Sequence, residues 1–289
     1  MISIIIATFR ETGTVKEALD ALMNQELPEC EIFVVSPDLE TREVISDYLK
    51  KDKRIKHLQD EGNGKPAALN LAFEKARGEI IVLTDGDVYC AKGAVKEILA
   101  PFEDEKVGLV SGHPLSLNEK NIMLGFWSHV LTDIAHRLRL EKEFIVGSGY
   151  FMAIRKGIVE SVPKDALSED ALISHLIYEK GYKTQYAPEA KVFVKYPSDF
   201  KDWIRQKRRS AGGYVQLKKY IQGKESMRSF SKESLGFHML FKYCSSLKKC
   251  FWIIILMLAR IYLWILIFFD LKIKKKSFSQ MWVRVESTK

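Results

Sequence analysis

Glu79-Ile80-Ile81-Val82-Leu83-Thr84-Asp85-Gly86-Asp87 is an apolar, largely β-branched run that stops on two carboxylates. Composition of that kind, closed by a turn signal, predicts a buried strand over 79–84. In extended backbone, positions i and i+2 point the same way, so Asp85 and Asp87 can face one cation, while Gly86 lets a phosphate approach the chain. Two hard oxygen ligands, completed by phosphate oxygens and water, suit Mg²⁺ or Mn²⁺. An Asp-Gly-Asp tripeptide is also an ordinary turn. Its place at the carboxyl end of a strand is what favours the metal reading.

Outward from that strand, similar runs fall at 2–7, 31–36, 54–58 and 107–111. Helix signals separate them. Thr14 and Glu17 have capping-box spacing, and Pro66 opens and Gly78 closes a helix over 67–77. This βαβα order predicts an α/β fold with a mostly parallel sheet flanked by helices. Ligands of such sheets sit beyond the carboxyl ends of the strands, so Thr8, Arg10 and Glu11 after the first, Asp38 after the second, and Asp85 to Asp87 after the fourth should converge on one cleft. Asp38 would accept from a nucleobase N–H or simply terminate its strand. Lys65, following Gly64 at the mouth of a helix, joins a cation to a helix N-terminus and so favours an anion such as a diphosphate; a plain helix start is the alternative.

Beyond residue 111 the pattern is helical over 118–140, is broken by Gly147-Ser148-Gly149, and resumes as a strand at 150–154. A helix over 168–180 ends at Gly181, short strands follow at 184–187 and 192–194, and a basic helix covers 199–221. Glu169 and Asp170 open the first of these helices, where acidic residues are common for dipole reasons alone. An ionised aspartate near a metal cleft can also serve as a general base, and Asp170 is the candidate. Gln206 and Arg209 stand three residues apart on the basic helix, hence on one face, where an arginine fork can hold phosphate oxygens.

Charge is divided along the chain. Residues 201–289 carry 20 Lys or Arg against 5 Asp or Glu, a net +15, which leaves −7 for residues 1–200 of the overall +8. The run 251–269 has a single charge, Arg260, and is just long enough to span a bilayer, while 235–247 is apolar on one face and suits the interface. A basic segment beside an apolar run predicts an anionic membrane surface, with no motif for nucleic acid. Two units are expected: a catalytic domain over 1–222, and interfacial or transmembrane helices with a basic tail over 223–289. Four scattered cysteines and no evident signal peptide predict a reducing, cytoplasmic setting for the catalytic domain.

The ordered set of motifs resembles glycosyltransferase family 2 with its GT-A fold: Thr8 and Glu11 after the first strand, VVSPD at 34–38, GKPAALN at 64–70, LTDGD at 83–87, SED at 168–170 and QKRRS at 206–210. The resemblance implies a membrane-associated inverting enzyme that transfers a hexosyl or N-acetylhexosaminyl group from a nucleotide diphosphate sugar, a UDP-sugar by preference. The acceptor it implies is a lipid-linked or membrane-proximal glycan. By that likeness Thr8, Glu11, Asp38, Lys65 and Asp85 bind the nucleotide, Asp85 and Asp87 hold Mg²⁺ or Mn²⁺, Asp170 is the base, and Glu169, Gln206 and Arg209 take the pyrophosphate and acceptor side. Ser210 stands where the family has a tryptophan, and Ser36-Pro37-Asp38 replaces a commoner Asp-Asp pair. WVRVESTK at 282–289 is similar to the tail of membrane-bound polysaccharide synthases, although one apolar run argues against a secretion channel within this chain. Two alternatives are a nucleotidyltransferase, which the glycine-poor ATFRETGT at 7–14 does not favour, and a non-catalytic membrane-surface binding protein with the same fold.

Overall fold

A computed structural model describes residues 1–221, 230–274, 280, 285, 287 and 288. The expected boundary at 222/223, Lys275, Lys276 and most of the 282–289 tail, Trp282 included, lie outside the described residues. The strands are β1 (Ile2–Ala7), β2 (Cys30–Ser36), β3 (Ile55–Gln59), β4 (Ile80–Asp85), β5 (Val88–Cys90), β6 (Val107–Ser116), β7 (Phe151–Arg155) and β8 (Lys183–Val194). The helices are α1 (Val15–Met23), α2 (Leu39–Val44), α3 (Ser46–Lys51), α4 (Lys65–Lys75), α5 (Ala94–Leu99), α6 (Met123–Leu140), α7 (Glu169–Glu179), α8 (Phe200–Gln216), α9 (Phe230–Leu235) and α10 (Leu247–Phe268).

One eight-stranded sheet runs in the order β3-β2-β1-β4-β7-β6-β8-β5. Every residue of β1 and β2 is buried, because helices cover both faces, and this is why those strands read as unbroken apolar runs. Ile4 and Ile6 join Val15 and Leu19 of α1 on one face, while Ile5 joins Leu69 and Phe73 of α4 on the other, as the two-residue period requires. Pairing is parallel from β3 through β4 and between β6 and β8; β7 is antiparallel to both its neighbours, and β5 to β8.

Several local expectations are corrected. The Thr14–Glu17 capping box does not form: Thr14 takes helical backbone angles (φ −110°, ψ −27°) rather than the extended ones of a capping residue, its Oγ1 accepts from no N–H of α1, and it donates to Glu11 O at 3.3 Å. Helix α4 begins at Lys65, with Pro66 in its first turn, and ends before Gly78. A Cβ on Gly78 would lie 2.3 Å from Ser3 N, so this glycine serves the close passage of the chain over β1 rather than the helix end. The two short strands expected at 184–187 and 192–194 are one strand, β8, whose register against β6 jumps between Tyr186 and Lys191. Pro188, with no N–H to donate, sits in that irregularity.

Candidate active site

Topology sets the site. Because β7 runs antiparallel to β4, Phe151 pairs with Thr84, and the chain just before β7 must cross the carboxyl end of β4. Gly149 and Tyr150 therefore lie over Asp85, and Thr84 Oγ1 donates to Tyr150 O at 3.1 Å. The N-terminus of α4 brings Lys65 to the same point, where its Nζ lies 2.6 Å from Asp85 Oδ1 and 3.2 Å from Glu169 Oε1, and donates to Gly149 O at 3.1 Å. The N-terminus of α7 supplies Asp170, whose Oδ2 accepts from Gly149 N at 3.1 Å. One glycine residue thus bridges the cation and the expected base.

Burial pushes the Asp85 carboxyl up to about 6 against the opposing pull of Lys65. Burial, with Glu169 adjacent, likewise pushes Asp170 up to about 6. For Lys65, burial works against the charged form, but Asp85 and then Glu169 outweigh it and hold the ammonium well above its usual range. A Cβ on Gly86 would meet Thr8 Oγ1 at 2.7 Å and Glu11 Oε2 at 2.8 Å, so the close approach at this glycine is made by the end of β1. Thr8 Oγ1 and Gln206 Oε1 are buried without a hydrogen-bond partner among the described residues, which leaves two polar atoms for a ligand. Gln206 Nε2 reaches Tyr150 OH at 3.3 Å.

These groups border a cavity of about 1030 Å³. Thr8, Glu11, Lys65, Asp85, Asp87, Glu169, Asp170, Gln206 and Arg209 all line it. Asp38 is not among the lining residues; its carboxylate caps α2, accepting from Thr41 N at 2.9 Å and from Arg10 N at 3.1 Å. Burial raises the Asp38 carboxyl, and the bonds from Thr41 and Arg10 more than reverse this, leaving it below the ordinary range. Sequence reading missed Asp60, which lines the cavity one residue past β3, and Tyr150. The strand-end rule would have found Asp60 had the third strand been extended by one residue.

The SED segment is fastened to α8. Ser168 Oγ donates to Ser210 O at 3.3 Å, Leu167 N to Gln216 Oε1 at 2.9 Å, and Gln216 Nε2 to Asp165 O at 2.7 Å. Ser210, where a tryptophan was the family expectation, thus offers its carbonyl to Ser168 of the SED segment. A Cβ at Gly213 would lie 2.1 Å from Ser168 Oγ and 2.7 Å from Ser168 Cβ. Gly213→Ala should therefore cost about 1–3 kcal/mol of stability through overpacking. Displacing Asp170 by a fraction of an ångström should also lower turnover by on the order of 10²-fold. Thermal melts and donor turnover check this, and a variant with wild-type values of both would show that the contact is soft.

Asp85 and Asp87 both line the cavity, and no cluster of three or more His, Cys, Asp or Glu side chains suited to a metal occurs among the described residues. The donor set still fits a divalent ion that takes its remaining oxygens from a diphosphate and water. Glu11, Asp85, Asp87, Glu169 and Asp170 line the cavity together with Lys65 and Arg209.

The sequence model described as Glycosyl transferase family 2 matches residues 3–162, more than half of the chain. The chain is 29% identical over 237 residues to the probable glycosyltransferase YdaM of Bacillus subtilis, covering 75% of this chain and 56% of that protein. It is 26% identical over 228 residues to the poly-β-1,6-N-acetyl-D-glucosamine synthase of Staphylococcus epidermidis, covering 75% and 55%. The chain thus spans a little over half the length of these relatives. Among solved structures, the mannosyltransferase PcManGT from Pyrobaculum calidifontis, in complex with GDP-Man and Mn²⁺, superposes with a TM-score of 0.61 at 22% identity, covering 78% of this chain and 65% of that one. TarS 1–349 of S. aureus, in complex with UDP-GlcNAc, gives 0.53 at 18%, covering 74% and 66%. These two likenesses concern the fold, which is the GT-A-like α/β arrangement expected, with a more mixed sheet and an apolar C-terminal helix.

Proposed function

This chain belongs to glycosyl transferase family 2, and from that premise we propose that it transfers a hexosyl or N-acetylhexosaminyl group from a UDP-sugar to a lipid-linked or membrane-proximal glycan, with inversion at the anomeric carbon. The observation that carries the reading is the meeting of Lys65, Asp85, Glu169 and Asp170 around the backbone of Gly149 at the carboxyl end of β4. Support for a UDP-sugar comes from the UDP-GlcNAc bound to TarS and from the polymer named for the staphylococcal relative. The assignment of residues 1–222 to catalysis and 223–289 to the membrane side belongs to the same proposal, as does a cytoplasmic cleft.

Thr8, Glu11, Lys65 and Asp85 take the nucleotide side, and Asp38 contributes by holding Arg10 N and the first turn of α2 in place. Asp85 and Asp87 would hold Mg²⁺ or Mn²⁺, which, when bound, would neutralise charge developing on the leaving diphosphate. Lys65 adds a fixed cation on the same side of the cleft, and Arg209 a second, with five donors suited to phosphate oxygens. Asp170, fixed through Gly149 N, takes the acceptor hydroxyl's proton as that oxygen attacks the anomeric carbon and the diphosphate leaves from the opposite face. Glu169, directly before it, keeps Lys65 in place and raises the basicity of Asp170.

A base raised to about 6 gives a definite pH dependence. Asp170 must be ionised, so UDP release from a UDP-sugar in the presence of Mn²⁺ and acceptor should lie on a plateau above pH 7 and fall about tenfold per unit well below pH 6. A pH–rate profile flat down to pH 4.5 would exclude Asp170 as the base. GDP-sugars run in parallel should give little turnover, and a clear GDP preference would overturn the donor assignment.

A further inference from the structure

By length and composition α10 is the one helix among the described residues fit to cross a bilayer, yet its packing is that of a helix laid along the catalytic domain. Ile253, Leu256, Ala259, Arg260, Leu263 and Ile267 form its buried stripe, about 21 Å long at 1.5 Å per residue. That stripe rests on Trp127 and Val130 of α6 and on Trp203 and Ala211 of α8. Trp127 Nε1 donates to Trp252 O at 2.8 Å, and beyond the far end of the helix Asp270 pairs with Arg208 of α8. Arg260, the mid-helix charge, faces inward and pairs with Glu233 of α9, whose carboxylate also accepts from Trp264 Nε1 at 2.9 Å. The opposite side repeats every three or four residues as Phe251, Ile254, Leu258, Ile261, Ile265 and Phe268, each 38–61% exposed.

We propose that α10 lies flat in the interfacial layer of an anionic membrane, with the Phe251–Leu258–Ile265 face in the acyl boundary, and does not cross it. A crossing orientation would carry α6 and α8, packed along the helix, to hydrocarbon depth with Asp133, Arg137, Arg205 and Lys207. The alternative, peeling α10 away, would strip Arg260 of Glu233 inside the bilayer, where an unpaired charge is costly. Lying flat keeps every one of these contacts and buries the exposed face. Charge selects the lipid: residues 230–274 hold seven Lys or Arg against two acids, and both acids are already paired with arginines. Lys242 and Lys248 stand exposed near the start of the helix. This inference deepens the membrane-proximal part of the proposed function and does not depend on the donor chemistry.

The test uses the full chain with Cys244 and Cys250 replaced by serine and an environment-sensitive fluorophore on Phe251→Cys, Leu258→Cys or Ile265→Cys. Each is mixed with phosphatidylcholine vesicles with and without phosphatidylglycerol. Binding should strengthen about tenfold or more with the anionic lipid and weaken with salt, and depth-dependent quenchers should place all three probes at the same shallow depth. A Leu258 probe markedly deeper than its two flanking probes would mean a crossing helix and overturn the proposal. So would absence of vesicle binding, or a lipid-free dimer that shields the Leu258 probe. Leu258→Glu should lower vesicle binding about tenfold while UDP release with a soluble acceptor is unchanged. Unchanged vesicle binding in that variant counts against the proposal, whereas failure of UDP release in the parent chain counts against the donor reading alone.

Discussion

Asp170→Asn is expected to reduce sugar transfer by roughly 10²-fold or more while leaving donor affinity close to wild type, and to make the protein more stable. The two effects have one cause. Asparagine keeps the acceptor oxygen for Gly149 N but cannot take a proton, so the step at the acceptor hydroxyl loses its base. Stability moves the other way because folding raises the Asp170 carboxyl to about 6, above its unfolded value near 4. A carboxyl raised on folding penalises the native state once it ionises. That penalty is full above pH 6, shrinks as pH falls from about 6 towards 4, and is gone below the unfolded value. Removing it should add roughly 2–3 kcal/mol at pH 7 and flatten the rise in stability on acidification. Melting curves at pH 5 and 7, set beside turnover, read both. A variant that is inactive and less stable would instead assign Asp170 to the structure of the α7 N-terminus.

Asp87→Ala should abolish measurable transfer while leaving the fold intact. The side chain stands beyond β4 at the turn into β5, lining the cavity, so its loss opens no void in either core cluster. Withdrawing one of two carboxylate donors should forfeit several kcal/mol of transition-state stabilisation, about 10³-fold or more in rate. The substituted protein should also lose Mn²⁺-dependent protection by UDP in a thermal melt. Turnover within a factor of a few of wild type would show that this carboxylate is not needed.

The strands of the first half were readable because both sheet faces are covered, which writes β1, β2 and β4 as continuous apolar runs. Of their polar followers, found by position alone, Thr8, Glu11, Asp85 and Asp87 line the cavity, whereas Arg10 and Asp38 do not. Lys65 was legible from Gly64 and Pro66 around it, since a positive φ at Gly64 and a proline in the first turn mark a helix start. What was not legible depends on long-range geometry. Gly149 and Tyr150 matter because β7 runs antiparallel to β4, and no local pattern states the direction of a strand. Gln216 and Gly213 hold the SED segment from 45 or more positions away. Strand β5 has three residues, too few for a period to register, and the Thr14 cap does not form because Thr14 itself takes helical rather than extended backbone angles. At the C-terminus the apolar run was plain, but the length and hydropathy that suit a crossing helix do not reveal which side of it is already occupied by α6 and α8.

The most direct test of the central claim is to incubate the purified full chain with UDP-N-acetylglucosamine, Mn²⁺ and a lipid-linked glycan acceptor, and to read the anomeric configuration of the new linkage by proton NMR. The account predicts UDP release matched one for one by a β-linked product from the α-linked donor, lost on adding excess EDTA and in Asp170→Asn. An α-linked product, or full transfer in the presence of EDTA, would contradict it.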